Sequence, residues 1–158
     1  EVKLKIEINT TEHFHLLNLQ KQKFSMISEW FSGETDILTY QFEEMMATKF
    51  KALYQRRKGR DLFDSWMILK RGELDVDRTI KLLEEYCEKV DEQITRALFE
   101  RNLILKRGHP DFNFDMESLL AVGTEWDFDK AFEMIMSELV PKLKGEAWKG
   151  EEEEVQVK

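Results

Sequence analysis

Residues 41–64 read QFEEMMATKFKALYQRRKGRDLFD, and the spacing within this stretch sets the class of fold. Phe42, Met45, Met46, Phe50, Leu53 and Tyr54 fall at i, i+3, i+4, i+8, i+11 and i+12, the period of an amphipathic helix over 42–57. At about 100° per residue, Lys49 lands roughly 20° from Phe42, inside the apolar stripe, with Arg56 beside it. A lysine directed into a core costs several kcal/mol in effective terms unless an anion meets it. The spacing therefore predicts a negative partner for Lys49, either a carboxylate of this chain or the phosphate of a ligand. After this helix, Gly59 predicts a stop and Asp61 a new start. Cations closing one helix and aspartates opening the next satisfy both macrodipoles, which accounts for Arg57, Lys58 and Gly59. It leaves Lys49 unexplained, and also the grouping of Arg60 with Asp61 and Asp64. One turn apart, the two aspartates are placed to hold the basic groups in position from the polar face of their helix.

Upstream, the chain reads as β. Val2, Leu4, Ile6 and Ile8 alternate with Lys3, Lys5, Glu7 and Asn9, which puts Glu7 on the face opposite the apolar residues. Phe24 to Phe31 and Ile37 to Tyr40 predict two further strands joined at Ser32-Gly33. Downstream, the pattern stays helical. Leu62, Phe63, Trp66, Met67 and Leu69 predict a helix ending at Gly72. Asp77 is the expected N-cap of a helix carrying Ile80, Leu83, Tyr86, Cys87 and Val90. A helix after Asp91 carries Ile94, Ala97, Leu98 and Ile104 and stops before Gly108 and Pro110. A short helix around Met116 to Ala121 and a longer one from Asp129 to Leu139 complete the series, with Pro141 marking its end. The expected fold is α+β: a small N-terminal β segment over 1–40, then a bundle of five or six helices over 41–145. These form one domain, followed by an acidic, disordered tail over 146–158.

Composition narrows the function classes. The chain has 158 residues, is 42% hydrophobic and 35% charged, and carries a formal charge of −8. It can bury a core, and it lacks the broad basic surface needed to coat nucleic acid. No apolar run approaches the roughly 20 residues that span a bilayer, so no membrane partner is expected. The single cysteine, Cys87, can make no internal disulfide and sits on an apolar helical stripe; a reducing, cytoplasmic setting is the expectation. His13 and His15 lack a third clustered ligand and read as surface residues. There is no P-loop and no Gly-x-Gly-x-x-Gly, and Asp75-Val76-Asp77 and Asp127-Phe128-Asp129 read as helix caps.

The block Glu44-x4-Lys49-x6-Arg56, followed by Gly59-Arg60-Asp61-Leu62-Phe63-Asp64-x-Trp66, resembles the C-terminal signature of the AbiEii/AbiGii toxin-type nucleotidyltransferases. These are the toxin halves of type IV toxin–antitoxin systems and relatives of the MenT toxins. The resemblance implies a polymerase-β-like nucleotidyltransferase that takes NTP and Mg²⁺ and passes a nucleotidyl group to an acceptor such as tRNA. It implies Lys49 as the phosphate-contacting lysine assisted by Arg56, and Asp61 as the second essential group, supported by Arg60 and Asp64. Glu7 matches a late-strand carboxylate and is the implied metal ligand. An antitoxin protein is the implied partner. The family's Gly-Ser turn with its Asp-x-Asp strand belongs before residue 1, so the chain reads as the C-terminal part of such an enzyme, lacking the main metal site. The rival expectation is a non-catalytic helical interaction module, in which Lys49 pairs internally with Glu7 or Asp61 and the acidic exterior meets a protein partner.

Overall fold

The structure, a computed structural model, describes residue 6 and residues 14–150. The alternating segment expected around Glu7, His13, and the acidic run from 151 onward lie outside the described residues. The chain divides into two compact units, Glu1–Gln41 and Phe42–Lys158.

In the first unit, β1 (Gln20–Ile27) pairs antiparallel with β2 (Ser32–Thr39), Gln20 opposite Thr39 and Ile27 opposite Ser32. The reversal is four residues earlier than Ser32-Gly33 suggests. It lies at Ser28 to Phe31, because the Ser28 hydroxyl oxygen accepts the backbone N–H groups of Trp30 (3.3 Å) and Phe31 (3.1 Å). A serine side chain can replace a backbone turn in this way, and Gly33 is then free to sit in the strand opposite Met26. Lys23 reaches Glu34 diagonally across the pair at 2.9 Å, a contact worth a few tenths of a kcal/mol. The ends are tied where the Gln20 and Gln41 side-chain amides donate to the carbonyls of Tyr40 and Asn18.

In the second unit, six α-helices are described: α1 (Phe42–Gln55), α2 (Gly59–Arg71), α3 (Val76–Lys89), α4 (Arg96–Arg107), α5 (Pro110–Asn113) and α6 (Phe128–Met134). The last runs on through a π-turn, Ile135–Leu139, and a 3-10 turn, Val140–Lys142. The core is built from Phe50, Leu53, Leu62, Leu83, Tyr86, Phe99, Leu103, Phe112 and Ile135, all essentially without solvent contact. Each large apolar side chain removed from water this way contributes about 1.5–3 kcal/mol before entropy is counted.

Helix ends follow local chemistry, with small shifts from expectation. Gly72 ends α2 in the left-handed region (φ 70°), and its N–H donates to the Leu69 carbonyl. Asp75, not Asp77, caps α3, accepting the Arg78 N–H at 2.9 Å. Both aspartates precede the apolar period, and only packing chooses between them. Thr95 caps α4, so Ile94 lies just before that helix. Residues 116–121 form turns rather than a helix; the regular turn here is α5, started by Pro110, whose missing N–H costs nothing at a first helical position.

Gly59 is the first residue of α2 rather than a stop. A Cβ on it would come 2.4 Å from the Phe112 carbonyl oxygen, which is backbone and cannot swing aside. Gly59→Ala should therefore lose on the order of 2 kcal/mol in urea unfolding through overpacking, even though alanine is the better helix former. An alanine variant as stable as the parent would show that this close approach does not constrain the fold.

Candidate functional site

The buried face of α1 is turned further round than its apolar stripe suggests. Met46, Ala47, Phe50 and Leu53 are buried, together with Glu44 and Lys51, while Met45 and Lys49 lie at the rim. The cause is that α1 packs against α3 as well as α2, so the core claims the arc containing Ala47. Lys49 accordingly does not point into the core. Its side chain, 38% exposed, lies on a cleft of about 340 Å³ between α1 and α2, and its Nζ is 2.7 Å from Asp64 Oδ2. Met45, Met67 and Ile68 form apolar walls, and Arg71 stands at the edge, two turns along α2 from Asp64. Arg71 escaped the sequence reasoning; the signal was its i+7 spacing from Asp64, which places both on one face of the helix.

Asp61 sits elsewhere. It is fully buried, whereas the spacing put it on the polar face of its helix, and Arg56 clamps it with two bonds: Nη2 to Oδ1 at 2.7 Å and Nε to Oδ2 at 3.1 Å. Such fork-on-fork geometry fixes direction as well as energy. The Asp61 backbone N–H donates to the Lys58 carbonyl, and its own carbonyl accepts the Ser65 hydroxyl at 2.7 Å. The Arg56–Asp61 clamp therefore holds the α1–α2 corner. Arg60 joins neither pair; it is exposed, and its backbone N–H donates to Asp115 at 3.3 Å. Glu7 lies outside the described residues. Among the described residues the partner of Lys49 is thus Asp64, while Asp61 is taken by Arg56.

Behind this corner lies a cation that no local pattern announces. Lys106 of α4 is buried, and its Nζ donates to the carbonyls of Leu53 (2.5 Å) and Tyr54 (2.6 Å), in the last turn of α1. That turn has no basic residue of its own, so Lys106 supplies the cap and the positive charge its dipole lacks. Burial pushes the Lys106 ammonium down to about 8, opposed by the nearby Asp61 carboxylate and reinforced by Arg57. Two further buried charges follow the same logic: Glu44 accepts the Tyr86 hydroxyl at 2.8 Å, and Lys51 lies 3.9 Å from Glu92.

Chemically, the α1–α2 cleft offers two cations and one carboxylate beside apolar walls, which suits an anion bearing a flat or apolar body. It does not suit a divalent metal. Among the described residues no group of three or more His, Cys, Asp or Glu side chains gathers to hold one, and Asp61 and Asp64 are each taken by a cation. Among the same residues no helix is long and apolar enough to cross a membrane.

Residues 1–134 match the family described as nucleotidyl transferase AbiEii toxin, type IV TA system. Neither the curated proteins nor the solved structures provide a match. The matched span contains Lys49, Arg56, Asp61, Asp64 and Arg71, and it covers most of the 158 residues: the chain belongs to the AbiEii family of nucleotidyl transferase toxins of type IV toxin–antitoxin systems.

Proposed function

We propose that this chain supplies the phosphate-binding cations of an AbiEii-type nucleotidyltransferase. In the reaction, an acceptor hydroxyl, such as one on tRNA, attacks the α-phosphorus of an NTP. A new phosphoester bond forms, the bond to the bridging oxygen breaks, and pyrophosphate leaves. Charge on the phosphoryl oxygens must be met by positioned cations. The observation that carries this proposal is Lys49, held 2.7 Å from Asp64 in a cleft edged by Arg71.

The energetics of that pair favour exchange. Both members are more than a third exposed, and pairs of this kind contribute about 0–1 kcal/mol. A triphosphate, with more charge than one carboxylate, can take Lys49 at little cost, while Asp64 keeps the ammonium aimed into the cleft until it arrives. Asp61 cannot meet a ligand in the same way, because it is buried under Arg56. We assign it a positioning role, with Arg56, at the α1–α2 corner. Mg²⁺ chemistry, implied by the family, finds no donor set among the described residues; Glu7 is the carboxylate that the resemblance offers to it. An antitoxin is the protein partner that a type IV toxin implies.

The test is a thermal-unfolding titration with a nucleoside triphosphate. At about 100 times its Kd the ligand should add roughly 2.7 kcal/mol of stability, seen as a rise in Tm. Lys49→Ala should abolish the rise, and Arg71→Ala should weaken it about tenfold in concentration. No rise in the parent chain, together with a Lys49→Met variant that is more stable, would favour the non-catalytic interaction module, since apolar packing often replaces an ion pair favourably.

A further inference from the structure

Helix α2 carries a second set of residues on a different face. Trp66 and Lys70, spaced i and i+4, turn toward a separate cleft of about 330 Å³, closed on its other side by Glu125, Trp126, Asp127 and Lys130, and Phe63 packs against both tryptophan rings. Trp126 is gripped by edge contacts, with centroids 5.3 Å from Phe63, 5.6 Å from Trp66 and 6.3 Å from Phe128, so its ring is held in one orientation. It is half-buried, whereas Trp66 is buried, so Trp126 presents indole surface to the cleft.

The charges around it cancel. Lys70 lies 3.1 Å from Glu125 and 4.9 Å from the centroid of the Trp66 ring, and Lys130 lies 3.0 Å from Asp127. A visiting cation would meet two ammonium groups and find the place over Trp66 already filled by Lys70. A visiting phosphate would meet two carboxylates. A neutral flat heterocycle meets neither obstacle: its face can lie on an indole, and its edge finds ammonium donors and carboxylate acceptors together. Stacking of this kind tolerates any base, because every base has a π-face.

We propose that this cleft stacks an unpaired nucleobase on Trp126, with Lys70, Lys130, Glu125 and Asp127 meeting its polar edge. The base can come from a free nucleoside or from the end of a single RNA strand. The proposal stands apart from the phosphate reading of the Lys49 cleft, since it uses other residues and another face of α2.

The experiment uses the whole chain and a fluorescein-labelled five-nucleotide RNA, followed by anisotropy. Trp126→Ala should weaken binding about 5- to 160-fold, the span that corresponds to one lost base–aromatic stack, and Trp126→Phe should stay within about 3-fold of the parent. Displacement by unlabelled adenosine would identify a single nucleoside as sufficient; the same variant effects without displacement would identify a strand end. Adenosine titrated into the parent chain should also move the Trp126 indole N–H resonance, assigned through Trp126→Phe, which keeps the test open should Trp126→Ala fail to fold. No RNA binding at millimolar protein, binding that falls with Lys49→Ala but not with Trp126→Ala, or a Trp126 resonance that stays still while another tryptophan moves would each overturn the proposal.

Discussion

Arg56→Met should cost the helical unit about 3 kcal/mol in urea unfolding, a large loss for a side chain that is itself half exposed. The reason lies in its partner. Asp61 has no solvent contact and takes both of its strong hydrogen bonds from Arg56, so removing the guanidinium strands a carboxylate in the interior. Lys106 is near enough to offset part of the charge, which places the loss at the lower end of the range for broken buried pairs. The double variant Arg56→Met/Asp61→Leu should regain most of the loss, because two apolar side chains need no partner. A single variant within about 0.5 kcal/mol of the parent, or a double variant worse than the single, would show that the clamp does not hold the corner.

Lys106→Met should be nearly as damaging at neutral pH, by about 2–3 kcal/mol, because the last-turn carbonyls of α1 lose a donor they cannot replace with water. Its pH dependence distinguishes it from ordinary core damage. The unfolded chain holds the Lys106 proton up to about 10.5, while the folded chain releases it at about 8. Between those values the unfolded state binds more protons, so stability rises with pH. Below about 8 both states are protonated and the contribution is flat. The parent should therefore gain on Lys106→Met as pH climbs from 8 to 10.5, by on the order of 3 kcal/mol at most. Taking the difference between the two proteins cancels the remaining titrations. A constant gap across that window would mean that the ammonium is not desolvated at this site.

Much of the fold can be read residue by residue. The stripe from Phe42 to Tyr54 announces α1, and Gly72 closes α2 with a left-handed turn that suits glycine. The anion expected at Lys49 is Asp64, which lies 15 residues further along the chain, in the next helix. The misplacements are of one kind. Ser28 makes the hairpin turn through its own hydroxyl, a choice that Ser32-Gly33 offered equally well. Gly59 reads as a terminator, yet it is required because the Phe112 carbonyl comes close from far along the chain. Asp61 reads as a surface residue of a helix start, and burial under Arg56 overrides that.

Periodicity alone determined that a helical unit follows a short β segment, where most helices lie, and that a charged block interrupts the apolar stripe. The tertiary structure decided which charge meets which. Lys106 reaches Leu53 across 53 positions, and Tyr86 reaches Glu44 across 42. Local spacing encodes the face a residue occupies on its own helix. The rotation of that helix against its neighbours depends on how all the buried side chains pack together. In α1 that rotation buried Glu44 and Lys51 and left Lys49 at the rim, where an ammonium can meet a ligand.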